Sequence, residues 1–493
     1  MKENIVHVYN YFLFLVRILF PQRVISLIIY LLLLGATIVI IISLSLHVMY
    51  YIFYKTRKEE KEAKKAELNE FPKVSVLMPV RSESLEIIER SVKNILNQNY
   101  PRSKTEFIII SDDPEDYARK IERLVHNLLR ESGINFIFIN RESPRGLKAG
   151  ALNDALRYVT GKYLILLDAD AVIPKNYIVE LVVFMENNSE FAGAVSDIIP
   201  LNSLENELCE TQSVAWSFLK KALFIGRQAA GFSVPLVGTC SIVRKDAIIN
   251  VNGWDESTVT DDLPLTIRLL AKGYKIGFLN QTKAYVEVSK TYKSFKSQQK
   301  RWAYGGLRTF IKYFKDIISS KVSPRLKIDI SLYLLQYQVT MINLIFISIA
   351  LLSVLLKVDL LKVPYPISLA WFAAIALYLA CYLDSIREEK YSVVKAIINL
   401  GRASALMMAL IPTFLDASIR ALLGKKVEWR VTPKGTFAHK FKEKATMESI
   451  LGCFLIMAFI YSMINNLFYT GLVFLAFGIP FIYTGYKTFS ANW

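Results

Sequence analysis

Two pairs of aspartates carry the most informative chemistry in this sequence. Asp168 and Asp170 follow the apolar run 164–167, and residues two apart in an extended chain point to the same side. Two carboxylates in that arrangement suit a hard divalent cation, Mg²⁺ or Mn²⁺, that also binds phosphate oxygens. The plain alternative is a pair of solvated turn residues, so the neighbouring motifs must decide between the two.

The second pair lies in the tripeptide Thr260-Asp261-Asp262. Asp262 is a candidate general base, with Asp261 beside it. The same stretch also suits the N-terminus of a helix over 263–270, where Thr260 or Asp261 can act as the N-cap. The two roles can coexist.

Cationic and aromatic residues complete this chemistry. Lys148 begins a predicted helix, where its charge and the backbone amides together favour phosphate. In the pentapeptide QQKRW, residues 298–302, Gln298 lies on one helix face with Arg301 or Trp302. Arg301 can neutralise a diphosphate, and the indole of Trp302 can stack on a sugar ring. The alternatives are an ordinary surface lysine and an interfacial helix whose tryptophan anchors at lipid headgroups.

An α/β domain is predicted to position these residues. Strand-like apolar runs at 74–78, 107–110 and 163–167 end in polar or acidic residues, and helical stretches at 86–98 and 116–130 separate them. Strands that alternate with helices indicate a mostly parallel sheet. Ligands of such sheets bind at the carboxyl ends of the strands, where the acidic clusters fall.

Long uncharged segments flank this domain. A membrane helix needs about 20 apolar residues, and the 493-residue chain is 53% hydrophobic with a mean hydropathy of +0.32. The last of these segments is long enough for two crossings, with Asn465-Asn466 as the turn. Residues 5–20 are either a short first span or an interfacial helix, and no signal-peptide cleavage site follows them. The uncharged segments are 24–54, 331–356, 363–383 and 449–486.

The net charge of +17 has two possible sources. Nucleic-acid binding is one, but lysines and arginines that follow the predicted spans explain it better. They place the middle of the chain on the cytosolic side and predict no nucleic-acid partner. The four cysteines have neither zinc spacing nor a disulfide framework.

Taken together, these motifs resemble the family 2 glycosyltransferases, in the membrane-integrated branch that contains cellulose, chitin and hyaluronan synthases. DAD (168–170), TDD (260–262) and QQKRW occur in the family's order and roughly at its spacing, and the likeness covers nearly the whole chain. PVRSE (79–83) and SDD (111–113) look like the family's nucleotide-binding strand ends. Ser82 replaces the usual asparagine, and TDD replaces the TED of cellulose synthases.

A further match lies near the C-terminus. The sequence WRVTPKG, residues 429–435, resembles the gating loop that cellulose-synthase-like enzymes lay over the active site. On this resemblance Trp429, Thr432 and Lys434 belong to the gating loop.

The resemblance implies a GT-A-type (Rossmann-like) α/β domain inserted between transmembrane helices, with amphipathic interfacial helices. Each motif residue then has an expected role. The base is Asp262 with Asp261, and the metal ligands are Asp170 and Asp168. The nucleotide and diphosphate are bound by Pro79, Glu83, Asp112, Lys148, Asp168, Gln298 and Arg301, and the acceptor by Trp302, Gly238, Thr239 and Trp254.

The expected domain order follows from these motifs and spans. It is a short span or interfacial helix at 1–23, a transmembrane helix at 24–54, a charged linker at 55–71, the glycosyltransferase domain at 72–290, interfacial helices with QQKRW at 291–330, two transmembrane helices at 331–385, an interfacial helix at 391–423, the gating-like loop at 424–446 and two transmembrane helices at 447–489.

The expected activity is inverting transfer from a nucleotide-diphospho-sugar, a UDP-sugar by resemblance, with Mg²⁺ or Mn²⁺. The favoured product is a β-linked polysaccharide built at the cytosolic face of the plasma membrane and passed through the spans. The alternatives are transfer of one sugar to a membrane lipid, and a transporter or scaffold with an inactive domain. The sugar, the linkage, the oligomeric state and any accessory subunits are not specified by the motifs.

Overall fold

The computed structural model describes residues 22–57, 70–362, 365–427 and 444–490. The predicted N-terminal element at 5–20 and the gating-loop residues Trp429, Thr432 and Lys434 lie outside these ranges.

A seven-stranded sheet forms the centre of the predicted α/β domain, in the order β3-β2-β1-β4-β6-β5-β7. Strand β6 runs antiparallel to both of its neighbours, and the other pairs are parallel. This confirms the predicted α/β fold with a mostly parallel sheet. The strands are β1 (Val74–Val80), β2 (Thr105–Ser111), β3 (Asn135–Asn140), β4 (Tyr163–Leu166), β5 (Phe191–Pro200), β6 (Ser241–Arg244) and β7 (Lys275–Val286).

Helices cover both faces of the sheet and continue into the apolar part of the chain. A short 3-10 helix (Arg102–Lys104) and a π-helix (Lys220–Gly226) also occur. The α-helices are α1 (Gln22–Thr56), α2 (Leu85–Leu96), α3 (Glu115–Leu129), α4 (Leu147–Leu156), α5 (Tyr177–Asn187), α6 (Glu207–Leu219), α7 (Arg227–Ala229), α8 (Lys245–Asn250), α9 (Asp262–Ala271), α10 (Tyr292–Ser319), α11 (Pro324–Leu334), α12 (Gln336–Met341), α13 (Asn343–Leu356), α14 (Tyr365–Glu388), α15 (Val393–Ala409), α16 (Ile411–Leu422), α17 (Thr446–Ile464) and α18 (Phe468–Phe489).

The central strands are buried on both faces. Alternate side chains of β1 and β2 enter two separate apolar clusters, with Val76 and Phe107 in one and Leu77 and Ile108 in the other. Such doubly buried strands read as continuous apolar runs in the sequence. The parallel register aligns Val80 with Ser111, so the carboxyl ends of β1 and β2 lie side by side at one edge of the sheet.

Among the residues that the structure describes, five helical segments are long and apolar enough to cross a membrane. They are α1, the run Gln336–Leu356 that comprises α12 and α13, and the helices α14, α17 and α18. The pair α15 and α16 is bent by 46° at Leu410 and would add a sixth as a broken span or a re-entrant element.

The domain is joined to α1 by an unusually close backbone approach. A Cβ atom added to Gly226 would lie 1.9 Å from the carbonyl oxygen of Tyr50. Beside this crossing, Arg227 forms an ion pair with Asp329 of α11, and the hydroxyl of Tyr50 donates to the same carboxylate. Glycine at 226 is therefore required for the α/β domain to pack against α1.

We predict that Gly226→Ala lowers the melting temperature of the full-length protein in detergent. The added methyl must displace backbone, and overpacking of this kind costs about 1–3 kcal/mol. Gly35→Ala on α1 is the matched control, because no heavy atom lies within 4 Å of its added Cβ. Equal melting temperatures for the two variants would contradict this account of the crossing.

Candidate active site

The loop after β4 carries the first acidic pair to the carboxyl edge of the sheet. The amide of Leu167 donates to the carbonyl of Leu77 (3.1 Å), which extends the parallel pairing past the last residue of β4. The amide of Asp168 then donates to the hydroxyl of Thr239 (2.9 Å). The backbone before Asp168 is thus fixed from both sides.

Lys148 is the central cation of the site. Its ammonium lies 2.6 Å from Oδ1 of Asp168 and donates to the carbonyl oxygen of Gly238 at 2.8 Å. Burial by itself lowers the pKa of Lys148, but the carboxylates of Asp168, Asp261 and Asp262 outweigh it and raise the pKa above its usual value. The lysine therefore stays charged and holds the two acidic motifs around one ammonium.

Asp261 and Asp262 stand at the N-terminus of α9, next to Gly238. A Cβ on Gly238 would lie 3.5 Å from Oδ2 of Asp262 and 3.7 Å from Oδ2 of Asp261, and its φ of +78° favours glycine. Burial raises the pKa of both aspartates. The charge of Asp261 adds to this effect at Asp262, whose pKa reaches about 7. Asp262 can therefore accept a proton near neutral pH.

The capping interpretation of this tripeptide receives no support from the side chains. Asp261 occupies the N-cap position without a capping hydrogen bond. Within the described ranges, Oγ1 of Thr260 and Oδ2 of Asp261 are buried and have no hydrogen-bond partner. Oδ1 of Asp262 accepts from the adjacent amide of Leu263 (2.8 Å).

Asp170 lies deeper than Asp168. It is fully buried, and its Oδ2 accepts from the amide of Glu287 at 3.3 Å. No group of three or more His, Cys, Asp or Glu side chains that could hold an ion is found in the described part of the chain. Two carboxylates with phosphate oxygens as the remaining ligands are nevertheless typical of Mg²⁺ in nucleotide sites. The chemistry of this donor pair therefore fits a divalent cation that binds together with a diphosphate.

The QQKRW segment lies on α10 and approaches the same place. Burial lowers the pKa of Arg301, while the attraction of the Asp168 carboxylate opposes that shift. Gln298 accepts from the hydroxyl of Ser289 at 3.4 Å. Trp302 is 43% exposed and is accessible to a large ligand.

One glycine sets the distance between α10 and the second acidic motif. A Cβ on Gly305 would lie 2.3 Å from Cγ2 of Thr260. Since real Cβ atoms do not approach so closely, only glycine lets α10 pack onto the loop that precedes Asp261 and Asp262. The sequence motifs did not indicate this contact.

The nucleotide side of the site contains an arginine that the motifs did not identify. Arg141 binds both carboxylate oxygens of Asp112, at 2.6 and 2.7 Å, and both side chains are largely buried. Asp113 accepts from the amide of Ser82 at 2.6 Å. The position of Arg141 directly after β3, at the same sheet edge, was the available signal.

Two other residues that were predicted to bind the nucleotide, Pro79 and Glu83, also lie near this edge of the sheet. Pro79 lies in β1 opposite Ile110. Glu83 follows the turn after β1, and its carbonyl oxygen accepts from the hydroxyl of Tyr117 at 2.7 Å.

Two predicted acceptor residues need correction. Trp254 is 3% exposed and packs in an apolar cluster beneath the sheet, so its indole cannot stack on a sugar. Thr239 is 8% exposed and fixes the backbone of Asp168 through its hydroxyl. Of the other two predicted acceptor residues, Trp302 is exposed, whereas Gly238 is buried.

A comparison with known protein families matches the part of the chain that contains Asp168, Asp261 and Asp262. The profile described as "Glycosyl transferase family group 2" matches residues 163–391. A probable glycosyltransferase of Sulfolobus acidocaldarius is 29% identical over 84% of this chain and 85% of its own length. A beta-monoglucosyldiacylglycerol synthase of a Nostoc species is 28% identical over 59% of this chain and 60% of its own length. A poly-beta-1,6-N-acetyl-D-glucosamine synthase of Staphylococcus aureus is 26% identical over 61% of this chain and 69% of its own length.

Among solved structures, a mannosyltransferase of Pyrobaculum calidifontis in complex with GDP-Man and Mn²⁺ superposes with a TM-score of 0.56. Its sequence is 16% identical, and the match covers 79% of this chain and 99% of that one. This likeness confirms the GT-A-type fold of the domain.

We predict that Arg141→Met strongly destabilises the protein. It leaves the carboxylate of Asp112 buried without its partner, and breaking a buried pair in this way costs about 3–5 kcal/mol. Arg145→Met is the control, because Arg145 is 58% exposed in its pairs with Asp154 and Glu256, and exposed pairs contribute about 0–1 kcal/mol. Thermal unfolding of both variants checks this. A melting temperature for Arg141→Met as high as that of the control would contradict it.

Proposed function

We propose that the chain is a family 2 glycosyltransferase, an inverting enzyme that uses a nucleotide-diphospho-sugar, a UDP-sugar, to build a β-linked polysaccharide. The observation that carries this proposal is the convergence of Asp168, Asp261 and Asp262 on the ammonium of Lys148. The catalytic domain faces the cytosol at the cell membrane, and the membrane helices pass the product outward.

The donor occupies the carboxyl edge of β1, β2 and β4. Asp112, held in place by Arg141, and Glu83 bind the base and ribose. Arg301 and Lys148 face the diphosphate and offset the negative charge that grows on it as the sugar leaves. Fixed cations of this kind stabilise a transition state because they need no reorganisation during the reaction.

Asp262 acts as the general base. Its buried carboxylate accepts the proton of the acceptor hydroxyl while that oxygen attacks the anomeric carbon from the side opposite the diphosphate. The acceptor–carbon bond forms as the carbon–phosphate-oxygen bond breaks, and the diphosphate leaves with the electron pair. General base catalysis of this type contributes roughly 10²–10⁴-fold. One displacement of this kind needs no covalent enzyme intermediate.

Asp168 and Asp170 would hold Mg²⁺ or Mn²⁺ next to the diphosphate. When bound, such an ion supplies positive charge for the leaving group. Asp168 would share its carboxylate between the ion and Lys148, which keeps the pair of aspartates from carrying uncompensated charge.

The acceptor reaches Asp262 from the side of α10, where Trp302 offers an exposed indole. A growing polysaccharide is the favoured acceptor, because five membrane-spanning candidates supply a route for a product made at the membrane. A membrane lipid is the second candidate, and its support is the similarity to a glucolipid synthase.

A donor screen tests this function directly. Purified protein in nanodiscs is incubated with labelled UDP-glucose, UDP-N-acetylglucosamine or GDP-mannose and Mn²⁺, with and without dioleoylglycerol. We expect a long polymer with one donor, and loss of at least about 10²-fold in Asp262→Asn, which keeps the size of the side chain but removes the base. Nucleotide binding by this variant should survive. A single labelled lipid would select the second candidate, and no product from any donor would exclude both.

The base role also predicts a pH dependence. A base acts only when deprotonated, and burial with the charge of Asp261 raises the pKa of Asp262 to about 7. Turnover at saturating donor should therefore rise with pH through the neutral range and then level off. In Asp261→Asn the midpoint should move to lower pH, because the neighbouring negative charge is removed. An unchanged midpoint in that variant would contradict the coupling between the two aspartates.

A further inference from the structure

One asparagine joins the helix that carries Lys148 to the segment that leads to Asp262. Asn153 lies in α4, five residues after Lys148. Its Nδ2 donates to the carbonyl oxygen of Trp254 at 2.9 Å, and its Oδ1 accepts from the amide of the same residue at 2.8 Å. An asparagine amide offers both donors and an acceptor, so this side chain holds both backbone groups of one residue. Residues 252–256 have the sequence NGWDE and are called the NGWDE segment.

The NGWDE segment also contacts the start of α4. Nδ2 of Asn153 donates to Oε1 of Glu256 at 2.9 Å, and Oε2 of Glu256 lies 3.3 Å from Nε of Arg145. A Cβ on Gly146, the N-cap residue of α4, would lie 2.6 Å from the Cβ of Glu256. The segment therefore meets α4 both at Asn153 and just before Lys148.

Glycine at position 253 permits this close approach. A Cβ on Gly253 would lie 2.5 Å from Oδ1 of Asn153, and the φ of Gly253 is +69°. Any side chain there would strain the backbone and displace the amide. The indole of Trp254 is buried in an apolar cluster, so this residue is held by packing as well as by hydrogen bonds.

The NGWDE segment is also bound to α10, the helix that carries QQKRW. Oδ2 of Asp255 accepts from Nζ of Lys312 at 2.6 Å and from the hydroxyl of Tyr313 at 2.7 Å. The side chain of Asp255 is 8% exposed, and hydrogen bonds in such surroundings are electrostatically stronger than in water. One short segment thus connects the helix of Lys148 with the helix of Arg301.

The chain from this segment to the aspartate pair at 261–262 is short and internally bonded. Oδ1 of Asp255 accepts from the amide and the hydroxyl of Ser257 at 3.0 and 2.8 Å. The hydroxyl of Thr258 is buried and donates to the carbonyl oxygen of Thr260 at 2.8 Å. Because such interiors are close-packed and transmit displacements, a shift of the NGWDE segment must also shift the aspartate pair.

A separate set of contacts fixes the helix of Lys148 to the sheet. Arg141, which follows β3, donates to the carbonyl oxygens of Arg145 at 2.8 Å and of Leu147 at 3.1 Å. It also lies 3.5 Å from the carboxylate of Asp154 in α4. These contacts set the position of α4 relative to the nucleotide side of the site. The asparagine contacts instead set the position of the base relative to α4.

We propose that Asn153 is a positioning residue, which through the NGWDE segment sets the place of Asp262 relative to Lys148 and thereby aligns the acceptor hydroxyl with the donor. This inference rests on the proposed function. Asn153 acts through Asp262 and is not a catalytic residue. Loss of its amide should therefore slow transfer, whereas the nucleotide should still bind on the side of the site that Arg141 fixes.

The variant Asn153→Ala tests this proposal, because it removes the three hydrogen bonds from this amide to the NGWDE segment. Purified protein in nanodiscs is titrated in a calorimeter with Mn²⁺ and UDP or GDP, whichever matches the donor selected in the screen above. The titration gives both the affinity and the number of intact sites. We expect kcat per intact site to fall about tenfold to 100-fold, the loss that a displaced reacting group produces, and Kd for the nucleotide to stay within about twofold.

Asn250→Ala is the matched control. Asn250 ends α8, shortly before the NGWDE segment, and its Nδ2 donates to the hydroxyl of Tyr274 at 2.8 Å in an exposed position. This variant removes an asparagine amide from the same part of the chain, but the bond it loses does not involve α4. Both kcat per site and Kd should match those of the wild type.

A second variant keeps the test decisive if Asn153→Ala does not fold. Glu256→Ala removes the bond to Asn153 and the pair with Arg145 but leaves both bonds to Trp254, and the side chain of Glu256 is 30% exposed. It should lower kcat per site by a smaller factor. In the double variant the losses should be less than multiplicative, since both substitutions remove the same hydrogen bond.

The outcomes distinguish this inference from the proposed function. Wild-type protein that transfers no sugar would defeat the function itself. Wild-type transfer with an unchanged kcat per site in Asn153→Ala, or in Glu256→Ala where the first variant does not fold, would leave the function standing and overturn the role of Asn153. Equal losses of kcat and of nucleotide affinity in Asn153→Ala would also overturn it, because they would indicate a general structural effect.

Discussion

An excess of negative charge around one ammonium is the constraint on which this site depends. Asp168, Asp261 and Asp262 from two separate motifs all act on Lys148, and Asp170 lies buried behind them. Carboxylates that are buried together resist full ionisation. The pKa values of Asp261 and Asp262 are raised for this reason. A site in this state favours additional positive charge, and the carboxylate of Asp262, with its pKa raised to about 7, can accept a proton near neutral pH. Arg301 on α10 contributes part of the compensation.

The second requirement is structural. The loop that carries Asp261 and Asp262 must lie at a fixed distance from the apolar helices. Close backbone approaches at glycines provide this: Gly226 against α1, Gly305 against Thr260 and Gly306 against Leu334. Interiors are close-packed, so displacement of one such contact is transmitted to the next. The helix that carries QQKRW is therefore a rigid link between the catalytic loop and the first C-terminal membrane segment. Trp302 on this helix is exposed.

The sequence predicted the fold well, because buried parallel strands give continuous apolar runs and strand ends carry the polar residues. It also predicted that Asp112 and Asp168 follow strands at the carboxyl edge of this sheet. It did not identify Arg141 or Gly305, since their roles depend on contacts between elements far apart in the chain. For the same reason Trp254 was assigned to the acceptor, although it packs in the core. A motif shows which residue types are present but not which way a side chain faces.

The configuration of the new glycosidic bond tests the central claim most directly. Nucleotide-diphospho-sugars such as UDP-glucose carry an α-linked sugar, and a single displacement assisted by Asp262 must invert that carbon. Proton NMR of the first product formed by the purified protein reports the configuration through the coupling of its anomeric proton. The account predicts a β-linked product. An α-linked product would contradict it, because retention requires a different mechanism from the one built around this carboxylate.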